Sequence, residues 1–522
     1  MRKTENWIKT LILKERNIEL QKSIFCLLIL IIWLSIVIFT DLKHEFWRDE
    51  VRSLSIARDA NSISDLYQLL KHDGHPLLWH LLLYVEVSII DSPLVLPITS
   101  IAIALCSVLL FTIYSPFPLW FKTIFIFCGL PLYEYAVMAR PYGLSMLLLF
   151  IVPILYKKRD RYPLWLSMTL ALLANTNVHS LIFVVMILVI WIIEDYSSSG
   201  KRDVHFFLRF LAPIVIVFLG IALNLLFTIP REDSIVTDFG KGMNIQNIFS
   251  SFFAATFHPD KTFYKIIPYF IPSYLSITLL VALILGFYKK PVYLFSAAIA
   301  IISFGVLFQI IYEGDYRHQG LFIIFMITLY WMYQEQSCKR VSSKLESTLY
   351  KAGFASLSLI ILVNILVGIA NINSDITSAR SSNKEFGQFL LTSSKYSNAI
   401  IVAEPDYIME SLPYYVDNLI YFPREHRFSN IVSWTTKSDN TLSLKDLLLN
   451  AEMIQMNQNR PVLIVLGHFS ILENNEGEIN YSYNKVFNWD QKQVELFESS
   501  TFLVASFNFA YTDENYLVYG LK

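Results

Sequence analysis

Charge is scarce in this 522-residue chain. Asp, Glu, Lys and Arg make up only 16% of it, against about a quarter of an ordinary soluble domain. A chain that is soluble and globular throughout is thereby excluded. Cysteine is scarcer still, and the four present (Cys26, Cys106, Cys128 and Cys338) lie in or beside apolar segments without CxxC spacing. That excludes a disulfide framework and a cysteine zinc site, and the four read as small membrane hydrophobes. The formal net charge of -1 has no excess of either sign, so nucleic acid is not an expected partner. No internal repeat or low-complexity tract is present. No small-residue cleavage site follows the first apolar run, so that run is expected to stay as an anchor.

What is abundant is hydrophobic surface: 54% of residues are hydrophobic and mean hydropathy is +0.47. Long uncharged runs recur through residues 22–372, many near the roughly 20 residues that cross a bilayer core. The pattern predicts a polytopic α-helical membrane protein. Residues 1–21, with Arg2, Lys3, Lys9, Lys14 and Arg16 among Trp7, Ile8, Leu11, Ile12 and Leu13, read as an amphipathic helix on the cytoplasmic face. Spans are expected near 22–40, 75–91, 94–114, 117–131, 141–156, 162–178, 180–195, 206–229, 266–288, 291–312, 319–336 and 352–372. A polar first outer loop, 41–74, should hold two helices near 51–60 and 62–72.

Basic residues orient this bundle, because Lys and Arg favour cytoplasmic loops. Four clusters should face the cytoplasm: Lys157-Lys158-Arg159 with Arg161, Lys201-Arg202, Lys289-Lys290, and Lys339-Arg340 with Lys344 and Lys351. Alternating crossings from Pro141 satisfy all four and put the C-terminus outside. The stretch 92–131 cannot then be two full crossings, and one of its segments is expected to be short or re-entrant, giving about 11 true crossings. The setting expected is the bacterial inner membrane, with membrane lipids around the spans. Residues 373–522 turn polar and mixed. Strand-like runs at 399–403, 419–422, 462–466, 502–510 and 516–519 alternate with helical patterns at 405–415 and 443–456, which predicts an extracytoplasmic α/β domain.

The ionisable residues flanking the spans carry the chemistry. Asp49-Glu50 follows Phe46-Trp47-Arg48 just past the first span. A carboxylate there can serve as a general base, and a cover of Phe46 and Trp47 would raise its pKa. The plain alternative is a helix-capping acid. His72-Asp73-Gly74-His75-Pro76 precedes the second span, where Pro76 suits a helix start and His75 an anion site at its N-terminus. As a metal site His72, Asp73 and His75 are a weak alternative, since the histidines are loop-borne with no fixed fourth ligand. The plain reading is a histidine contacting lipid headgroups. Arg140-Pro141-Tyr142, after Tyr133-Glu134-Tyr135, opens a span with a guanidinium that either clamps a phosphate or snorkels to headgroups. Asn175-Thr176-Asn177-Val178-His179 is a polar break whose amides and imidazole suit sugar hydroxyls or simple turn chemistry. Glu313-Gly314-Asp315-Tyr316-Arg317-His318 offers two more cations for an anion, or a solvated loop. The expected topology puts every one of these clusters on the same side of the membrane, and charge near a bilayer tends to be functional.

Asp49-Glu50 in a first outer loop, His75-Pro76 before the second span and Arg140-Pro141-Tyr142 resemble the GT-C superfamily of membrane glycosyltransferases. The resemblance is to its branch of polyprenyl-phosphate-sugar-dependent protein O-mannosyltransferases and aminoarabinose transferases. Arg317-His318 and the outer α/β tail also look like bacterial members. The resemblance implies an inverting transfer of a hexosyl or pentosyl group from a polyprenyl-phosphate-linked donor to a hydroxyl of a glycan, lipid or protein acceptor on the outer face. It implies Asp49 as general base with Glu50 supporting it, and Arg140 on the departing lipid phosphate. No cofactor is required by that scheme, and a divalent metal is not indicated. His75, Arg317 and His318 join the phosphate-binding set by position, and His72, Asp73, Tyr142, Asn177 and His179 are candidate substrate contacts. Two other classes compete: a transporter or flippase of lipid-linked sugars, and a non-catalytic scaffold presenting the outer domain.

Overall fold

The computed structural model describes every residue except 1, 199–203, 236–244, 269, 312, 337–342, 468–473, 475 and 482–484. Of the four basic clusters, Lys201-Arg202 and the Lys339-Arg340 part of the fourth therefore lie outside the described residues, while Lys344 and Lys351 are described.

The first helix, α1 (Arg2–Asp41), runs unbroken from the basic segment into the first span, where an amphipathic helix separate from that span was expected. The outer loop supplies α2 (Arg48–Asp59) and α3 (Ile63–Leu70). In α3 the Ser62 hydroxyl caps the Asp65 N–H at 3.1 Å. Gly74, at φ +72°, then reverses the chain ahead of Pro76 and α4 (Leu77–Val87). Next come α5 (Val95–Tyr114) and α6 (Leu119–Ile126). At eight residues, α6 is too short to cross, so it is the short member of the 92–131 stretch. A π-helical turn, Leu130–Glu134, follows it, and such turns recur at functional sites.

The rest of the bundle is α7 (Tyr142–Tyr156), α8 (Pro163–Ala174), α9 (Val178–Ser198), α10 (Val204–Thr228), α11 (Ile245–Phe257), α12 (Ser273–Leu285), α13 (Pro291–Ile310), α14 (Tyr316–Gln336) and α15 (Lys344–Thr377). Helix α12 begins later than its apolar run because Pro268 and Pro272 break the approach to it. Six described helices are long and apolar enough to cross a membrane, and α4, α7, α8 and α12 are shorter apolar helices. The described basic clusters meet at one end of the bundle. Arg159 Nε binds Asp195 at 2.9 Å, Lys290 Nζ binds Glu194 at 2.9 Å, and Lys157 Nζ binds Glu335 at 2.5 Å.

The C-terminal domain begins after α15. A six-stranded sheet has the order β3-β2-β1-β5-β9-β8, from β1 (Ile400–Glu404), β2 (Ile420–Phe422), β3 (Arg427–Phe428), β5 (Val462–Gly467), β8 (Thr501–Phe507) and β9 (Tyr516–Leu521). Strand β1 is parallel to β2 on one side and to β5 on the other, while β9 is antiparallel to both β5 and β8. Alternate residues of β1 and β5 face opposite sides. Ile401, Ala403, Leu463 and Val465 pack with Phe386 and Leu390 of α16 (Asn383–Thr392). Ile400, Val402, Ile464 and Leu466 pack with Leu447, Leu448 and Ala451 of α17 (Leu444–Gln458). A smaller sheet, β4 (Thr441–Ser443), β7 (Lys485–Trp489) and β6 (Gly477–Tyr481), lies beside α17 and α18 (Gln491–Ser500). The helix expected over 405–415 is instead two 3₁₀ turns, Asp406–Met409 and Leu412–Tyr414, because Pro413 interrupts a longer helix.

Candidate active site

Charged side chains from α2, the 133–140 turn, α14 and the end of α15 converge where the bundle meets the C-terminal domain. Helix α2 is set by Glu50, whose carboxylate reaches back to the Trp47 N–H at 3.1 Å and so satisfies an open donor of its first turn. Glu50 is fully buried. It also accepts the Ala139 N–H at 2.8 Å and faces His44 Nε2 at 3.2 Å. His44 Nδ1 lies 2.6 Å from Asp375 Oδ2, which also accepts the Tyr133 hydroxyl at 2.7 Å. Arg380 donates to Tyr133 Oη at 2.9 Å. Burial favours a neutral His44, but Glu50 and Asp375 outweigh it and raise its pKa to about 9. Glu50 is thus spent on holding the first loop against the 139–140 turn, a support to Asp49 with no surface left for substrate.

Asp49, the next residue, points the other way. Its Oδ2 lies 2.5 Å from Arg140 Nη1 and 3.7 Å from Arg317 Nη2, with 34% of its side chain exposed. Partial burial favours the neutral acid, but the two guanidiniums outweigh it and hold the carboxyl below the usual carboxylate range. The rise in pKa expected from an aromatic cover is therefore reversed. Phe46 packs on Tyr414 at 4.3 Å between ring centroids, and Trp47 lies against the Arg48 guanidinium at 4.7 Å.

Asp49 and Arg140 share a cavity of about 50 Å³ with Arg52, Asp73, His75 and His80. Asp73 Oδ2 binds His75 Nδ1 at 2.8 Å and lies 3.7 Å from His80 Nε2, while its Oδ1 takes Arg52 Nε at 2.6 Å. Burial opposes its charge, but His75 and Arg52 hold the Asp73 carboxyl well below its ordinary value. His75 keeps 42% of its side chain exposed in this cavity. His72 turns away to Asp233, 3.8 Å distant, so it does not join Asp73 and His75. Among the described residues no group of three or more His, Cys, Asp or Glu side chains is arranged to hold a metal ion.

Four other candidate residues, His318, Tyr142, His179 and Asn177, face inward. The Asp315 N–H donates to His318 Nδ1 at 2.9 Å, so the proton sits on Nε2, which donates to the Tyr142 hydroxyl at 2.7 Å. His179 stacks on His318 with ring centroids 5.1 Å apart. This buried stack lies behind Arg140, whose guanidinium is 5.9 Å from the Tyr142 ring, and does not offer His318 to an anion. Asn177 is the N-cap of α9. Its Oδ1 accepts the Ser180 N–H at 2.9 Å and its amide donates to Ser145 Oγ at 2.6 Å, so turn chemistry has taken it.

A second cavity, of about 310 Å³, is lined by Arg317 with Lys265, Arg380, Glu134, Asp315 and Asn371. Three cations of different elements meet there, a set suited to a phosphate. Lys265 and Arg380 were missed from sequence because neither stands in a conspicuous motif. His44 was missed for the same reason. His80 was detectable, as the one imidazole inside a helix whose only carboxylate is Glu86 near its end.

No protein-family model and no curated protein sequence matches this chain. Solved structures do resemble it. The crystal structure of ArnT from Cupriavidus metallidurans in the apo state superposes with a TM-score of 0.51 at 11% sequence identity, covering 95% of this chain and 98% of that one. The same ArnT bound to undecaprenyl phosphate gives a TM-score of 0.47 at 10% identity over the same shares of the two chains. From its membrane bundle to its C-terminal domain, this chain has the fold of ArnT, the polytopic architecture that the GT-C resemblance implied.

Proposed function

We propose that the chain is a glycosyltransferase that moves a sugar from a polyprenyl-phosphate donor to an acceptor hydroxyl at the outer membrane surface. The observation that carries this reading is the Asp49 carboxylate held between Arg140, which lines the same cavity, and Arg317, which lines the second. A carboxylate next to cations is what an inverting transfer to phosphate's expense requires: a base for the attacking hydroxyl and positive charge for the departing phosphate.

In the resting arrangement Arg140 and Arg317 lower the basicity of Asp49. A donor phosphate entering among Arg317, Lys265, Arg380 and Arg140 takes over the Arg140 and Arg317 guanidiniums and releases Asp49 as a stronger base. The acceptor O–H then gives its proton to Asp49 as its oxygen bonds the anomeric carbon. The bond from that carbon to the phosphate oxygen breaks with inversion, and polyprenyl phosphate leaves with its charge neutralised. No general acid is needed, because the leaving group is already a stable anion. His75 lies in the same cavity as Asp49 and adds a donor for the phosphate or the sugar. The C-terminal domain faces the outside in this scheme, as the basic clusters at the opposite end of the bundle support.

Release of undecaprenyl phosphate from a panel of undecaprenyl-phosphate sugars tests this without knowledge of the acceptor, using membrane extract to supply it. Wild-type protein should release the lipid phosphate, and Asp49→Asn should lower the rate by at least about 10²-fold while the protein still melts cooperatively. Equal rates for the two proteins would remove Asp49 from the chemistry.

A further inference from the structure

A larger cavity than the one around Asp49 lies across α2 from it. Asp49 lines one cavity and its neighbour Arg48 lines the other, a crevice of about 300 Å³ in the C-terminal domain. The crevice opens beyond the carboxyl ends of β1 and β2: Glu404 is the last residue of β1, and Arg424 follows Phe422 of β2. From β1 the chain goes to β2 on one side and later to β5 on the other. Such a switch point leaves a gap outside the strand ends, where open α/β sheets bind their ligands.

The cations of the crevice are already engaged. Arg424 makes a buried fork with Glu404, at 2.6 and 3.1 Å, and donates to the Asn440 and Val486 carbonyls at 3.0 Å each. Arg48 forks onto Asp513 at 2.6 and 2.9 Å and is flanked by the rings of Trp47 and Tyr407. Lys485 Nζ donates to Ser438 Oγ and to the Asp439 carbonyl. What is left over is acidic and phenolic. Asp406 is only 6% exposed, and among the described residues no side chain donates to it or pairs with it. Burial, with Glu404 and Glu425 nearby, pushes its pKa up to about 7 against the pull of Arg424 and Lys485. Among the described residues the Tyr481 hydroxyl is buried without a hydrogen-bond partner. Unmet polar groups at such depth cost free energy unless a ligand or water satisfies them. Trp434 and Tyr407 add aromatic wall.

We propose that this crevice is a saccharide subsite, which seats a neutral or amine-bearing sugar ring of the acceptor against Trp434 and Tyr407 with its O–H or N–H groups on Asp406 and Tyr481. Aromatic walls with a few fixed polar groups suit a ring that is apolar on its faces and polar at its rim. An anionic sugar does not fit, because the cations are spent and the unengaged side chain is a carboxyl. The proposal rests on the transfer reading above. Arg48 and Asp49 are consecutive, so a glycan seated here approaches the start of α2 that carries the base.

Saturation-transfer NMR on the full chain, in a detergent without a sugar headgroup, tests it with glucosamine, N-acetylglucosamine and glucuronate as probes. The first two should show enhanced ring-proton signals and glucuronate should not. The signals should fall by about threefold or more in Tyr481→Phe, which removes one hydroxyl and little else, and further in Asp406→Ala. Signals absent from wild-type protein, equal for glucuronate, or unchanged in Tyr481→Phe and Asp406→Ala overturn the subsite. The readout needs neither donor nor turnover. Loss of sugar binding with lipid-phosphate release intact therefore overturns this inference alone, and the converse overturns only the transfer reading.

Discussion

Glu50 accepts the backbone N–H of Ala139 at 2.8 Å, and through that one bond Asp49 meets Arg140. Each charged residue stands beside a member of the hydrogen-bonded pair, so the register of α2 against the 133–140 turn sets the distance between carboxylate and guanidinium. Glu50→Gln keeps an oxygen for Ala139 but removes the charge that His44 faces. Breaking a buried pair costs about 3–5 kcal/mol when one partner is lost. A clear drop in melting temperature is expected. A slackened Asp49 should lower kcat by about 10²-fold, as misplacement by an ångström does, with little change in the donor KM. Wild-type kcat in Glu50→Gln would show that the bond to Ala139 does not position Asp49.

Removing Arg140 should move the pH profile. Arg140 and Arg317 together depress the Asp49 pKa, so Asp49 stays ionised in the free enzyme to well below neutral pH. In Arg140→Ala the carboxyl is left with partial burial and the more distant Arg317, and its pKa rises. The base is active only when deprotonated, so the acid limb of kcat/KM should shift to higher pH by about one unit or more. The donor KM should rise as well. An acid limb that stays where it was in wild type would mean that Asp49 is not the titrating base.

His44 makes stability depend on pH. Its folded pKa is about 9 against an ordinary value of 6.5. The charged imidazolium between Glu50 and Asp375 therefore stabilises the fold fully below about pH 6.5, and that contribution is lost as pH rises through about 9. The amount at stake is on the order of 3 kcal/mol. Thermal melts at pH 6 and pH 9.5 should differ in wild-type protein and differ much less in His44→Gln. Parallel melting behaviour in the two proteins across that range would argue against a charged His44.

The membrane bundle and the charged rim of the site were legible in the sequence for one reason: a charge beside an apolar run is rare enough to stand out. Asp49, Arg140 and Arg317 were found that way and meet in space. The ties that position them were not legible. His44 binds Asp375 across 331 residues of sequence, and Tyr133 binds the same carboxylate across 242. No local pattern marks such partners. Asn177 shows the opposite case, where a polar residue had two local readings and helix capping prevailed over ligand contact. His318 looked available because it follows Arg317, yet the two side chains diverge, one to Asp49 and one to Tyr142. In the C-terminal domain, strands β1, β2 and β5 announced themselves as apolar runs. The crevice at their ends depends on strand order, which the runs do not encode.

Two glycines carry the last link between bundle and site. A Cβ on Gly129 would lie 2.9 Å from the Gly368 nitrogen, and one on Gly368 would lie 2.7 Å from the Gly129 Cα. Backbone atoms cannot swing aside as a side chain can, so the turn after α6 and helix α15 meet at this distance only while both residues lack a Cβ. Close backbone approach through glycine is a common way to pack helices in a bilayer. Asp375 lies on α15 about two turns beyond Gly368, where it holds His44 and hence Glu50. Gly368→Ala should therefore cost about 1–3 kcal/mol through overpacking. It should also lower the rate of lipid-phosphate release, because the displaced helix end carries Asp375 away from His44. Gly129→Ala should act in the same direction, and the double variant should cost less than the sum of the two, since either methyl alone already forces the backbones apart. Additive losses in melting temperature would show that the two glycines do not share one contact.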